Sequence, residues 1–412
     1  MLASIADGAS RITGFSTSID CQTTLECIER LGIRVERRSE GLIIHGKRLF
    51  PFQPETVPVV LQAGNSGSTM RMLSGLLAAQ PFDSEIDGDA SLRRRPMTRI
   101  IEPLALMGAR IEAENGSHAP LRFRGRQLKG ISYTSRVASA QVKSCVLFAG
   151  LLAQGRTTFS EPALSRNHTE LMLSEFGASI ERAPANTWSV EGGGKLNPVD
   201  YQVPGDVSSA AFFIAAATTL GNSSVVLRRV GLNPTRTAFL DVLDDLGANI
   251  SRLSAGERHR EAVGDLHATT SELRAASGTT TLAGGVIANL IDEVPILAVM
   301  ATQVAGRVEV RDARELRIKE SDRIRTIVDG IRSMGGEIEE FEDGFAIAGP
   351  QRLRGGRVET AGDHRIAMAF AVAGLLAEGT TEILEADCAS VSFPGFYEAL
   401  ASVTEPGAVE PA

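Results

Sequence analysis

Long apolar blocks alternate along this chain with shorter stretches in which every second residue is apolar, and the alternation itself repeats. The blocks include "VKSCVLFAGLLAQ" from Val142, "AAFFIAAATTL" from Ala210 and "HRIAMAFAVAGLLAE" from His364. Residues of this kind are apolar on every face of a helix, which predicts helices enclosed by a shell of sheets. The alternating stretches are "LGIRVERRSEGLIIHG" from Leu31, "MGARIEAENGSHAPLRFRG" from Met107, "FGASIERAPANTWSVEGG" from Phe176, "LGANISRL" from Leu246 and "MGGEIEEFEDGFAIAGP" from Met334. Each reads as a helix end, a glycine stop and a strand, usually continuing into a hairpin.

The repeating unit is therefore helix–strand–helix–strand–strand, recurring six times at a spacing of roughly 70 to 90 residues. That length exceeds a solenoid repeat. The expectation is an α/β chain of two three-repeat domains, residues 1–203 and 204–412. The first repeat is cut. In "MLASIADGASRITGF", Leu2, Ala3, Ile5 and Ala6 look like the last turns of an apolar helix, with Gly8 as its stop and Arg11–Thr13 as the following strand. No capping residue and no strand precede it, so a strand, a turn and part of a helix are expected upstream.

Composition narrows the function classes. At 43% apolar and 22% charged residues the chain is globular rather than disordered. No apolar run reaches the length of a bilayer span, and the N-terminus has no basic leader region. Cys21, Cys27, Cys145 and Cys388 are scattered, as expected of reduced thiols in a cytoplasmic protein. The formal net charge of −8 argues against a general nucleic-acid binder but not against a local basic pocket. The six histidines show no metal-ligand spacing.

Candidate chemistry lies at the heads of the apolar helices. Polar residues precede them at Asn65–Arg71, Ser139–Lys143, Asp206–Ser209, Asp292–Glu293 and Asp363–Arg365. Helix N-termini gathered together bind anions through their N–H groups and dipoles. "GNSGST" from Gly64 reads as an ordinary Gly/Ser turn or as a cradle for an oxyanion ahead of Arg71. In "GDASLRRRPM" from Gly88 the arginines form a solvated loop or a clamp on carboxylate or phosphate. "LRIKESDRIR" from Leu316 sets Lys319, Glu320, Asp322 and Arg323 at a helix start, as a surface ion-pair lattice or as a cation, a proton carrier and an anion clamp within one turn. "GDHRIAM" from Gly362 adds a further pair of basic residues.

Together with "ASAQVKS", "LSRNHTE", "PGDVSSAAF", "NPTRT" and "IDEVPILA", these motifs resemble the 5-enolpyruvylshikimate-3-phosphate synthase family, in order and over nearly the whole chain. "ASAQVKS" and "RIKESDR" resemble its bacterial, glyphosate-tolerant members. The resemblance implies two inverted α/β domains of three repeats each, closing on their ligands. It implies a monomer that needs no metal or organic cofactor and binds neither nucleic acid nor membrane. Its substrates would be the small molecules shikimate 3-phosphate and phosphoenolpyruvate. The implied reaction is attack of the 5-hydroxyl of shikimate 3-phosphate on C2 of phosphoenolpyruvate, protonation at C3, and loss of phosphate from the tetrahedral ketal.

By the same resemblance Asp292 matches the base and Glu320 the group that handles the C3 proton, while Lys319 matches a residue lying between the two ligands. Gly67, Arg95, Gln141, Arg323 and Arg365 match phosphoenolpyruvate contacts. Ser139, Gln141, Ser165, Arg166, Asp292 and Lys319 match shikimate 3-phosphate contacts, and His364 matches a helper in the phosphate or proton steps.

Two departures stand out. The family's N-terminal "GDKSxxxR"-type segment has no counterpart here, and its charged contacts would be worth roughly 1.5–3 kcal/mol each. Val391 stands where many members carry a lysine. The first departure sets a weakly active or inactive ligand-binding scaffold beside the enzyme reading. The related UDP-N-acetylglucosamine enolpyruvyl transferases carry a cysteine in the loop that reads "SLRRRP" here, and so fit less well.

Overall fold

Helix–strand–helix–strand–strand is the unit from which a computed structural model of the chain, describing residues 1–50 and 52–410, is built. Two compact units divide the chain, Met1–Val203 and Pro204–Ala412.

In the first unit the first repeat comprises α1 (Leu2–Ile5), β1 (Asp7–Thr13), α2 (Ile19–Arg30), β2 (Arg34–Arg38) and β3 (Gly41–Lys47). The second runs β4 (Val59–Gln62), α3 (Gly67–Leu77), β5 (Ser84–Asp87), the single turn α4 (Ala90–Arg93), α5 (Thr98–Leu106), β6 (Arg110–Glu114) and β7 (His118–Arg124). The third runs β8 (Ser132–Thr134), α6 (Ala140–Leu152), β9 (Arg156–Ser160), α7 (His168–Glu175), β10 (Ile180–Ala183) and β11 (Thr187–Glu191), and β12 (Asp200–Gln202) follows it.

Each repeat makes a four-stranded sheet, with orders β12-β1-β3-β2, β4-β5-β7-β6 and β8-β9-β11-β10. The outer strands β12, β4 and β8 pair in parallel with β1, β5 and β9, while the hairpins are antiparallel. Helices α3 and α6 lie inside this shell, and nearly every side chain on them is buried. They meet so closely that a Cβ on Gly75 would sit 2.2 Å from the Cys145 carbonyl oxygen, which is why glycine is needed there.

The second unit opens with α8 (Val207–Thr219), β13 (Ser224–Gly231), α9 (Ala238–Asp245), β14 (Asn249–Arg258) and β15 (Glu261–Thr269). Next come β16 (Arg274–Leu282), α10 (Gly285–Leu290), α11 (Val294–Ala301), β17 (Ala305–Val310), a 3₁₀ turn over Arg314–Ile318, α12 (Arg323–Ser333), β18 (Glu339–Phe341) and β19 (Gly344–Gly349). The last stretch holds β20 (Arg357–Val358), α13 (His364–Leu376), β21 (Glu382–Ile383), a 3₁₀ stretch over Ala386–Val391 and α14 (Phe396–Ser402). The sheets have orders β13-β15-β14, β16-β17-β19-β18 and β20-β21. Apolar helices α8, α11 and α13 pack on one another at the centre of this unit's own core.

The N-terminal expectation needs correcting. The helix is one turn, Leu2–Ile5; Ala6 is already extended, and the strand starts at Asp7. Gly8 lies within that strand, where Asp7–Thr13 pairs along its whole length with β3. Ladder pairing outweighs the local stop signal of a glycine. The sixth unit also falls short of the full pattern: among the described residues no hairpin follows α13, and α14 packs Phe396 and Leu400 into the core instead.

Candidate active site

In the first unit the "GNSGST" segment is a capped helix start. The Ser66 hydroxyl accepts a bond from the Thr69 N–H at 3.1 Å, so α3 begins at Gly67. Two guanidinium groups flank this end. A Cβ on Gly67 would lie 2.8 Å from Arg71 Nη1 and 3.4 Å from Arg95 Nη1. Arg71 Nη1 donates to Gln141 Oε1 at 2.8 Å, and Gln141 Nε2 donates to Ser68 Oγ at 2.9 Å. Arg95 Nη2 donates to Asn65 Oδ1 at 3.0 Å, and Asn65 is held in turn by Asp89, the cap of α4.

Cations, helix amides and glycine are the ingredients of an anion cradle. Gly67, Arg95 and Gln141 are thus brought together. Arg71, which the resemblance did not assign, joins them because it sits one turn into the same helix. The "SLRRRP" loop contains a helical turn, and its arginines divide: Arg93 pairs with Asp87, Arg94 points to solvent, and only Arg95 is buried towards the cradle.

Ser139 caps α6 through the Val142 N–H at 3.5 Å, two residues before Gln141. Lys143, on the same helix, is not a ligand for an anion. It is fully buried, with Nζ 2.7 Å from both Glu161 and Glu170. Ser165 donates its N–H and its hydroxyl to Glu161, at 3.0 and 2.7 Å, and Arg166 follows it in the segment leading to α7.

In the second unit Arg323 is the hub. Its side chain is 1% exposed, with Nε 2.8 Å from Asp363 Oδ2, Nη2 2.7 Å from Glu320 Oε2 and Nη1 3.6 Å from Asp292 Oδ1. Burial alone would favour loss of its proton, but Asp363 and Glu320 hold the guanidinium more firmly charged than an ordinary arginine. Burial likewise pushes the Asp363 carboxyl up, and the Arg323 charge more than reverses this, leaving it below the usual range. Asp363 also caps α13 through the Arg365 N–H at 3.0 Å.

The ion-pair reading of "RIKESDR" is therefore realised. Arg323–Glu320 is an i,i+3 ion pair, and the same pair fixes a candidate proton carrier. Arg323 itself is less open than a substrate clamp should be: only Nη1 has no hydrogen-bond partner among the described residues. Lys319 is half-buried and makes no ion pair or hydrogen bond among the described residues. Arg365 Nη1 donates to the Asp292 carbonyl at 3.3 Å and lies 3.8 Å from the buried Glu293 carboxylate. Glu293 accepts from the Ser208 hydroxyl, itself hydrogen-bonded by Arg236.

His364 is 7% exposed; burial, and then the adjacent Arg365 charge, lower its pKa to about 4. Its imidazole is neutral at pH 7, so it can offer a hydrogen bond but not a positive charge. No three His, Cys, Asp or Glu side chains among the described residues gather to hold a metal ion.

Comparison with known proteins agrees with this geometry. The sequence profile of EPSP synthase (3-phosphoshikimate 1-carboxyvinyltransferase) matches residues 1–400. The 3-phosphoshikimate 1-carboxyvinyltransferase of Koribacter versatilis is 50% identical over 406 residues, covering 98% of this chain and 93% of that protein. The Bacillus subtilis protein of the same name is 44% identical over 403 residues, covering 97% and 92%. An EPSP synthase structure from Acinetobacter baumannii superposes with a TM-score of 0.86 at 39% identity, covering 98% of this chain and 92% of that one. Five-element repeats around apolar helices, an anion cradle and a carboxylate hub occur here in a chain that belongs to the EPSP synthase (3-phosphoshikimate 1-carboxyvinyltransferase) family, and is thus an enolpyruvyl transferase of aromatic amino acid biosynthesis.

Proposed function

We propose that this chain transfers the enolpyruvyl group of phosphoenolpyruvate to the 5-hydroxyl of shikimate 3-phosphate with the following division of labour. The α3 N-terminus at Gly67, with Arg95 and Gln141, receives an anionic group of phosphoenolpyruvate; in the second unit Arg323 and Arg365 are its assigned contacts. Ser139, Gln141, Ser165 and Arg166 hold shikimate 3-phosphate. Asp292 takes the proton of the attacking hydroxyl, Glu320 delivers a proton to C3, and Lys319 stabilises the charge that develops in between. Phosphate then leaves the tetrahedral ketal as the C–O bond to it breaks, while Glu320 takes a proton back from C3 and that C–H electron pair re-forms the carbon–carbon double bond of the enolpyruvyl product.

The observation that supports this reading best is the Arg323 hub. One buried cation orients Asp292 and Glu320, and Lys319, adjacent in sequence to Glu320, is left without a protein partner among the described residues. Two carboxylates anchored by one rigid fork, with an available ammonium, suit a base and an acid acting at neighbouring atoms better than a passive binding surface. We further assign the reaction to the cytoplasm, in keeping with four free cysteines, and to the single chain, since every group named above belongs to it.

Phosphate release by the purified chain, supplied with both substrates, tests the reading. Turnover is expected, and Glu320→Gln and Asp292→Asn should each lower kcat by about 10²- to 10⁴-fold while shikimate 3-phosphate still binds. A folded chain that releases no phosphate and binds neither substrate would overturn it.

A further inference from the structure

Lys143 is a charged residue that the chemistry above does not use. It lies on α6, the helix whose first turn carries Ser139 and Gln141, yet its side chain is completely buried. An ammonium has three protons. Here Nζ lies 2.7 Å from Glu161 Oε1, 2.7 Å from Glu170 Oε1 and 3.4 Å from the Ser165 carbonyl oxygen. Two carboxylates and a carbonyl oxygen enclose the buried ammonium, so Lys143 has no face left for a ligand.

The same partners lock the Ser165 segment. Glu161 receives both the N–H and the hydroxyl of Ser165, and Lys143 takes its carbonyl. Ser165 is thus held at three atoms, and every bond leads back to Lys143 directly or through Glu161. A neighbouring bond, Ser144 Oγ to Thr169 Oγ1 at 2.6 Å, ties the same α6 to α7 just beyond the segment. Surface loops are seldom held this way, because burying three charges is costly unless each finds its partners.

We propose that Lys143, with Glu161 and Glu170, is a positioning residue that fixes the Ser165–Arg166 segment relative to the head of α6 and so sets the affinity for shikimate 3-phosphate without touching either substrate. The inference rests on the assignment of Ser165 and Arg166 to shikimate 3-phosphate made above. It carries a directional consequence. With its hydroxyl proton on Glu161, Ser165 presents lone pairs to the ligand and accepts from a ligand hydroxyl rather than donating to a phosphate oxygen. The cluster acts on the segment's placement, so its loss should weaken one substrate and spare the other.

The test uses the full chain, calorimetric titration with shikimate 3-phosphate alone, and steady-state KM for each substrate. Lys143→Met should weaken shikimate 3-phosphate binding by roughly 10- to 100-fold, the loss of one charge-assisted contact's worth of placement, with KM for phosphoenolpyruvate nearly unchanged. Glu161→Gln has the same shape without the charge and keeps a single acceptor. It should show the same selectivity with a smaller change, and it decides the matter if Lys143→Met does not fold. Parallel loss of both substrates together with thermal stability would overturn the proposal, as would unchanged shikimate 3-phosphate binding in both variants. If the unaltered chain fails to bind shikimate 3-phosphate, the functional reading itself falls, and this inference with it.

Discussion

Lys143 in the first unit and Arg323 in the second are both buried cations held by carboxylates, yet they do different work. The Lys143 ammonium is compact and enclosed by Glu161, Glu170 and the Ser165 carbonyl, none of which is a candidate for the chemistry. Arg323 is a planar fork whose edges reach Asp363, Glu320 and Asp292, two of which are candidates for the proton transfers. A point charge can staple a segment. A rigid fork can hold several carboxylates in a fixed mutual arrangement. Buried charge alone therefore does not mark a catalytic group; what distinguishes the two is what their partners are able to reach.

The comparison is broken most severely by Arg323→Met. It leaves Asp363, Glu320 and Asp292 as uncompensated like charges, Asp363 fully buried. Unfolding in urea should show a loss of about 3–5 kcal/mol, and phosphate release should fall by more than 10³-fold. Arg323→Lys sharpens the point. It restores the charge but not the fork, so most of the stability should return while kcat stays low; recovery of both would show that the geometry of the guanidinium is immaterial.

A smaller effect is expected at the cradle. Gly67→Ala places a methyl 2.8 Å from Arg71 Nη1, at the flexible end of a side chain, so Arg71 can shift but loses its bond to Gln141. KM for phosphoenolpyruvate should rise by about tenfold, with a smaller rise for shikimate 3-phosphate, to which Gln141 is also assigned. An equal rise for both would mean that the two anion sites are not separable as drawn.

The mildest test is a pH titration of stability. His364 has its pKa lowered from 6.5 to about 4, so the folded chain keeps it neutral where the unfolded chain protonates it. Its contribution is fully present above pH 6.5 and is lost as pH falls towards 4, amounting to on the order of 3 kcal/mol. The difference in urea stability between the unaltered chain and His364→Gln, measured from pH 7 to pH 4, should shrink across that window. A constant difference would mean that the imidazole is accessible to protons in the folded state.

Much of this molecule was legible in one dimension. The all-apolar blocks became α6, α8 and α13, because a helix with no polar face has nowhere to lie but inside. The glycine-plus-alternation stretches became hairpins such as β2–β3 and β6–β7. Local signals failed at Gly8, where strand pairing overrode a glycine stop, and after α13, where no hairpin followed the sixth helix among the described residues. Four of the polar residues before the apolar helices are caps, which are local in sequence: Ser66, Ser139, Asp206 and Asp363 all accept bonds from amides two or three residues on.

The roles of the charges were another matter. Of the three arginines in "SLRRRP", nothing in the run distinguishes Arg95, which reaches Asn65 thirty positions away, from Arg93, which is held by Asp87. Lys143 read as one more cation near an anion site until Glu161 and Glu170 were seen beside it. Arg71 and Gln141 are separated by 70 positions, and Arg323 and Asp363 by 40.

The order of elements, the enclosed helices and the capped helix heads follow from the sequence alone, because periodicity and capping act over a few residues. Which cation is enclosed by carboxylates and which is left half-buried without an ion pair among the described residues was decided only by the tertiary structure. The reason is physical: a charge takes its role from the partners within a few ångströms after folding, and here those partners come from distant stretches of chain.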